Sequence, residues 1–137
     1  MTKKELKNLY YLKKEIVAQK KRIKELENLA TSCTAKVTEL TNKTEVIDKV
    51  GNYAVEIADL KRLLDLNLKK RFYELVRLDK FIESVEDSEI RTILMLRYAQ
   101  GLSWQQIAKD MGVIGDGSTE RKNTTVFLRF PEIPEHM

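Results

Sequence analysis

Residues 87–112 read DSEIRTILMLRYAQGLSWQQIAKDMG, the stretch with the densest helix punctuation in the chain. Asp87-Ser88 can cap a helix over 89–100, and Gly101 is placed to end it in a left-handed C-cap. Ser103 and Gln106 form a capping box that opens a short helix over 104–111, which Gly112 ends. Two short helices joined by Gly-Leu-Ser are the first parts of a helix-turn-helix. Residues 113–117 read as a loop holding two glycines. Ser118 or Thr119 can then cap a last helix over 119–129, which Pro131 terminates. Its inner face is expected to carry Val126, Phe127 and Phe130. Its outer face is expected to show Glu120, Arg121, Asn123 and Thr124.

Toward the N-terminus the pattern changes to long periodic helices. Thr2 and Glu5 form a capping box. A heptad follows, with Leu9, Ile16, Ile23, Ala30 and Val37 at a, and Leu12, Gln19, Leu26, Cys33 and Leu40 at d. This predicts one helix to about residue 40. Thr41–Thr44 reads as a connection. A second apolar stripe runs Ile47, Val50, Ala54, Ile57, Leu60, Leu64, Leu68, Leu75, Leu78, Ile82 and Val85, predicting a helix over 47–85. Two helices of equal length with a short loop fold back most simply as an antiparallel hairpin. A turn near 43–44 sets Gln19 opposite Asn67 or Leu68, so a polar pair inside the seam is expected to fix the register. The remaining apolar residues, among them Leu6, Tyr10, Val17, Leu29, Leu63, Leu66, Phe72 and Phe81, call for another layer. It is either the C-terminal lobe or a second copy of the chain. The expectation is therefore an all-α protein: a coiled-coil-like hairpin over 1–86, a helix-turn-helix lobe over 87–130, and a flexible tail over 131–137.

Composition narrows the function. The 137 residues hold one Cys and one His, which excludes an intramolecular disulfide, a Cys-based zinc site and a His cluster. No nucleophile–base pair or cofactor loop is apparent; Gly115-Asp116-Gly117-Ser118 lacks the lysine and preceding strand of a phosphate loop. The chain is expected to be neither an enzyme nor cofactor-dependent. No apolar run is long enough for a membrane span and no secretory signal opens the chain, so the expected setting is a reducing cytoplasm. The net charge is +4, but it is uneven. Residues 1–30 hold nine Lys and Arg against four Asp and Glu; residues 87–137 hold six against seven. The basic excess therefore lies on the first helix, where Lys13-Lys14, Lys20-Lys21-Arg22 and Lys24 read as a solvated face. Trp104 is expected to pack on the preceding helix, and Cys33 to act as a small core residue.

A helix-turn-helix inserts its last helix into the major groove, N-terminal end first. Arginine matches guanine and asparagine matches adenine, while lysine and hydroxyls suit phosphates. The candidate DNA-binding residues are therefore Ser118, Thr119, Arg121, Lys122, Asn123, Thr124 and Thr125. Ser103, Gln105 and Lys109, around the start of the preceding helix, are candidates for secondary phosphate contact.

The run 90–111, with Leu94, Leu96-Arg97-Tyr98, Gly101-Leu102-Ser103-Trp104, Ile107-Ala108 and Met111-Gly112, resembles region 4 of sigma-70-type RNA polymerase factors. The whole chain is similar to small phage and prophage proteins of Gram-positive bacteria, of the ArpU and RinA late-regulator type. The resemblance implies a phage transcription regulator in the bacterial host cytoplasm that binds double-stranded promoter DNA, in a class of which some members contact RNA polymerase. The second-copy option for the missing apolar layer corresponds to a homodimer through the helical hairpin. The alternative is an interaction module that docks on RNA polymerase or another phage protein without touching DNA. One departure is the stretch 113–118, longer than the usual sigma turn.

Overall fold

The computed structural model describes residues 1–36, 43–112 and 115–129; side chains at 33–36, 43–47, 123 and 125–129 lie outside that description. Every element among the described residues is helical. α1 is Lys3–Lys36, α2 is Lys43–Ser84 and α3 is Ser88–Leu94. A π-helical turn, Met95–Ala99, continues α3, and α4 (Trp104–Asp110) and α5 (Ser118–Arg129) follow. Among the described residues no helix is long and apolar enough to cross a membrane. The residues expected at the tip of the long helices, Val37 and Leu40, and the tail 131–137 lie outside the described residues.

The local punctuation read from sequence operates as hydrogen bonds. Glu5 N–H donates to Thr2 Oγ1 at 3.2 Å, and Thr2 N–H donates to Glu5 Oε2 at 2.8 Å. Asp87 accepts from the N–H groups of Glu89 and Ile90, satisfying donors that α3 cannot pair internally. Ser103 and Gln106 complete both bonds of their capping box. Gly101 and Gly112 take positive φ, as their places after α3 and α4 require.

Some boundaries differ from the sequence reading. α2 begins at Lys43 and so absorbs two residues of the expected connection. The helix expected over 89–100 is α-helical only to Leu94. Beyond it, Gln100 N–H donates to Met95 C=O at 3.1 Å, a five-residue step, and Leu102 N–H reaches Leu96 C=O at 3.1 Å. Two cations occupy this helix end. Lys13 Nζ donates to Gln100 C=O, and Arg71 Nη2 donates to Ala99 C=O at 3.2 Å. The tertiary donors satisfy terminal carbonyls and match the negative end of the helix dipole. Burial, with Arg71 beside it, holds the Lys13 ammonium below its usual range.

The chain divides into two compact units. The first is Met1–Lys14 together with Lys70–Met137; the second is Glu15–Lys69. The first unit owns the main core. Leu6, Leu9 and Tyr10 of α1 join Leu78, Phe81, Ile82 and Val85 at the end of α2, and Ile90, Leu94 and Tyr98 after it. Leu6, Phe81 and Leu94 have no exposed surface. Each such side chain contributes on the order of 2 kcal/mol by leaving water. Burial also pushes the Tyr98 phenol up. Ile93, Ile107 and Ala108 are buried, and α5 packs on α3 and α4.

The second unit carries a narrower apolar seam flanked by charges. Ile16, Ile23 and Leu26 are buried. Asn67 Nδ2 donates to Gln19 Oε1 at 3.1 Å, the contact expected from the register, and to Glu15 Oε1 at 3.3 Å. Lys61 pairs with Glu27 at 3.0 Å, and Arg22 reaches Glu56 at 3.8 Å. Of the apolar residues outside the seams, Leu6, Tyr10 and Phe81 are buried. Val17, Leu29, Leu63, Leu66 and Phe72 are exposed.

Candidate functional site

The first turn of α5 is built by a short acidic loop and a glycine. Asp116 Oδ1 accepts from Ser118 N–H at 3.0 Å and from Ser118 Oγ. The cap is thus Asp116, not the Ser118 or Thr119 side chain expected from sequence. An Asx turn of this kind supplies the acceptor two residues ahead of the donor. Those Ser118 bonds hold the Asp116 carboxyl below its ordinary value of 3.8. Gly117 has φ +85° and is buried against α4; a Cβ there would stand 2.0 Å from the Trp104 carbonyl oxygen. Only glycine accepts both that dihedral and that approach. The starts of α4 and α5 are thereby locked together, backbone against backbone.

That lock decides which face of α5 is outside. Glu120 and Thr124 are 4% and 1% exposed, so the outer face expected to show them is corrected. Four residues apart, they share the face that packs inward, and Thr124 Oγ1 donates to Glu120 C=O at 2.8 Å. Ser118, Thr119, Arg121 and Lys122 are exposed. Asn123 and Thr125 have side chains outside the described residues.

Beside this turn the first unit holds an open groove of about 940 Å³. Ser118, Arg121 and Lys122 of α5 line it together with Lys3 and Lys7 of α1. Tyr10, Tyr11, Tyr98 and Trp104 supply aromatic surface, with Arg97 among them. The Arg97 guanidinium lies 3.8 Å from the Tyr10 ring centroid and 4.6 Å from that of Trp104. Its Nη1 donates to Leu102 C=O at 3.0 Å. Cation–π contact with two rings holds a charge that burial alone would oppose. Trp104 thus meets the preceding helix through Arg97, as its position suggests.

The groove is strongly cationic. Among the described residues five Lys and Arg line it against one carboxylate, Asp116. None of the five has a salt bridge among the described residues. Asp116 is bound to Ser118 and feels the charge of Lys122. Ser103, Gln105 and Lys109, the candidates for secondary phosphate contact, are exposed but do not line the groove. Ser103 is engaged with Gln106.

Of the residues expected from sequence, Ser118, Arg121, Lys122 and the buried Thr124 line the groove, while Lys3, Lys7, Tyr11, Arg97 and Asp116 are missed. No local signal joins Lys3 to Lys122, because their proximity arises only when α1 packs on the C-terminal helices. Comparison with protein-family models, with curated proteins and with solved structures finds no match for this chain.

Proposed function

We propose that this chain is a DNA-binding transcription regulator that contacts duplex DNA through the exposed start of α5. The supporting observation is the groove beside α5, where five cations without ion-pair partners among the described residues face one carboxylate. Phosphate neutralisation supplies most non-specific affinity for DNA, and cations already paired with carboxylates would supply little of it. Arg121 and Lys122 stand at the end of the helix that leads into the major groove in a helix-turn-helix. The capped pair α3 and α4, joined at Gly101, agrees with that motif. The resemblance to sigma region 4 extends the proposal to promoter DNA and to a phage-encoded regulator. In this reading α1 and α2 form the antiparallel hairpin that supports the DNA-binding lobe.

The test is the double substitution Arg121→Ala and Lys122→Ala. It should weaken duplex binding and lower the slope of log affinity against log salt by up to about 1.8, roughly 0.9 per lost phosphate contact. Both side chains are exposed, so helix content should hold. An unchanged slope with intact fold removes α5 from the interface.

A second reading has its own observation. Phe72, Tyr73 and Val76 are 72%, 64% and 40% exposed on α2, an apolar surface suited to a protein partner. In that reading the chain docks on RNA polymerase or another phage protein. Retention of one partner from host lysate after nuclease treatment, with no duplex binding at low salt, would favour it.

A further inference from the structure

We infer that the N-terminal turns of α1 belong to the DNA-binding surface, with Lys3 and Lys7 holding phosphates of the same duplex that α5 engages. This rests on the DNA-binding reading and adds a second, sequence-distant arm to it. Lys3 and Lys7 are four residues apart, so they share one helix face, and both line the groove with Ser118, Arg121 and Lys122. One turn farther on, Tyr10 and Tyr11 form its aromatic surface, and Lys14 Nζ stands 5.0 Å from the Tyr10 ring centroid. A cationic stripe of α1 thus meets the cationic start of α5 across an aromatic floor.

The acids nearby do not cancel these charges. Glu5 is the only Asp or Glu in residues 1–14. Its carboxylate accepts from Thr2 N–H and from Arg77 Nη2 at 3.1 Å, and Arg77 also binds Glu74. Asp116, the one acid of the groove among the described residues, is bound to Ser118. The capping box that starts α1 therefore has a second consequence: it removes Glu5 from reach and leaves Lys3 and Lys7 with no salt bridge among the described residues. A groove lined by cations from two helices fits a polyanion, and α5 selects the duplex form.

The experiment uses the full chain and a short mixed-sequence duplex, titrated over a series of salt concentrations. Trp104 is the only tryptophan and lines the groove, so its fluorescence reports occupancy there. Three double variants are compared with the parent: Lys3→Gln with Lys7→Gln, Arg121→Ala with Lys122→Ala, and Lys20→Gln with Lys21→Gln. The last pair is exposed on α1 outside the groove and removes the same charge. The Lys3/Lys7 variant should weaken binding on the order of tenfold near ~0.1 M salt and lower the salt slope by about 1.8. The Lys20/Lys21 variant should keep nearly the parental slope. If the Lys3/Lys7 slope is parental while the Arg121/Lys122 slope falls, this inference fails and the α5 reading stands. If neither falls, both fail. Equal losses for Lys3/Lys7 and Lys20/Lys21 would reduce the effect to net charge and overturn the placement. Tighter binding of the single strand than of the duplex would overturn the duplex assignment.

Discussion

Lys3 and Lys7 share a helix with Lys20, Lys21 and Arg22, yet the two groups have different surroundings. In the second unit Arg22 lies 3.8 Å from both Glu25 and Glu56, and Lys61 pairs with Glu27, along an exposed charge ladder. Such exposed pairs contribute little to stability and are screened by salt. In the first unit the helix packs on a buried core, and Lys3 and Lys7 line a groove whose acid among the described residues, Asp116, is bound to Ser118. Arg22 and Lys61 thus meet carboxylates, whereas Lys20 and Lys21, like Lys3 and Lys7, have no salt bridge among the described residues; what sets Lys3 and Lys7 apart is the groove they line. Packing, not local composition, separates the two cases.

The largest test of this contrast uses one substitution in both units. Gly117→Ala forces a positive φ on alanine and drives a Cβ into the Trp104 backbone. It should destabilise the chain by about 2–4 kcal/mol in denaturant melts, more than the dihedral alone costs. Gly51 lies inside α2, and a Cβ added there would meet nothing within 4 Å. Gly51→Ala should stabilise by about 0.5–1 kcal/mol, because alanine has the better helix propensity and the less flexible unfolded chain. Losses at both glycines would mean that the second unit is as tightly constrained as the first.

A smaller effect is expected at Asp116, the groove's acid among the described residues. Asp116→Asn keeps an acceptor for Ser118 but removes a negative charge, so duplex affinity should rise roughly threefold at low salt and the gain should fade as salt is added. A loss of affinity would show that the Asp116 charge orders the start of α5 more than it repels phosphate. This variant sharpens the comparison, since a carboxylate removed from the exposed ladder, as in Glu56→Gln, should leave DNA binding nearly unchanged.

The smallest effect concerns acid pH. The Thr2 backbone N–H holds the Glu5 carboxyl below its ordinary value of 4.5, and Arg77 lowers it further against the opposing effect of burial. A depressed folded pKa binds fewer protons in the folded state, so this stabilisation is complete above 4.5 and is lost as pH falls through the lower folded value. Glu5→Gln should therefore flatten the acid limb of the stability profile in that window, with little change near neutrality beyond the lost Arg77 pair. Melts across a pH series check the slope.

The features legible in the sequence are those whose partners lie within one helical turn. Thr2 with Glu5, Ser103 with Gln106, and Asp87 with Glu89 and Ile90 need only local geometry, so these three caps and the glycine stops at 101 and 112 are readable, whereas the Asp116 cap of α5 goes unread. The expected turn near 43–44 sets Gln19 opposite Asn67 or Leu68, and Asn67 is the residue that donates to it, because a periodic seam carries register over long distances. The face of α5 is not legible in the same way. Its alternation of polar residues offers no sign that Glu120 and Thr124 turn inward, since that rotation is set where Gly117 meets Trp104. The π-helical turn at Met95–Ala99 is equally hidden, as Lys13 and Arg71 reach the carbonyls at its end from distant helices.

By itself, then, the amino-acid order determined an all-helical chain: periodicity and caps act through neighbours three or four residues apart, and few glycines or prolines interrupt them. Only the tertiary structure decided which charges meet. It brought Lys3 and Lys7 beside Arg121 and Lys122, turned Glu5 toward Arg77, and left a cationic groove. The physical reason is range. A helix cap is satisfied within a few ångströms of chain, whereas this groove exists because burial of Leu6, Leu9 and Tyr10 carries the first turns of α1 onto the C-terminal helices.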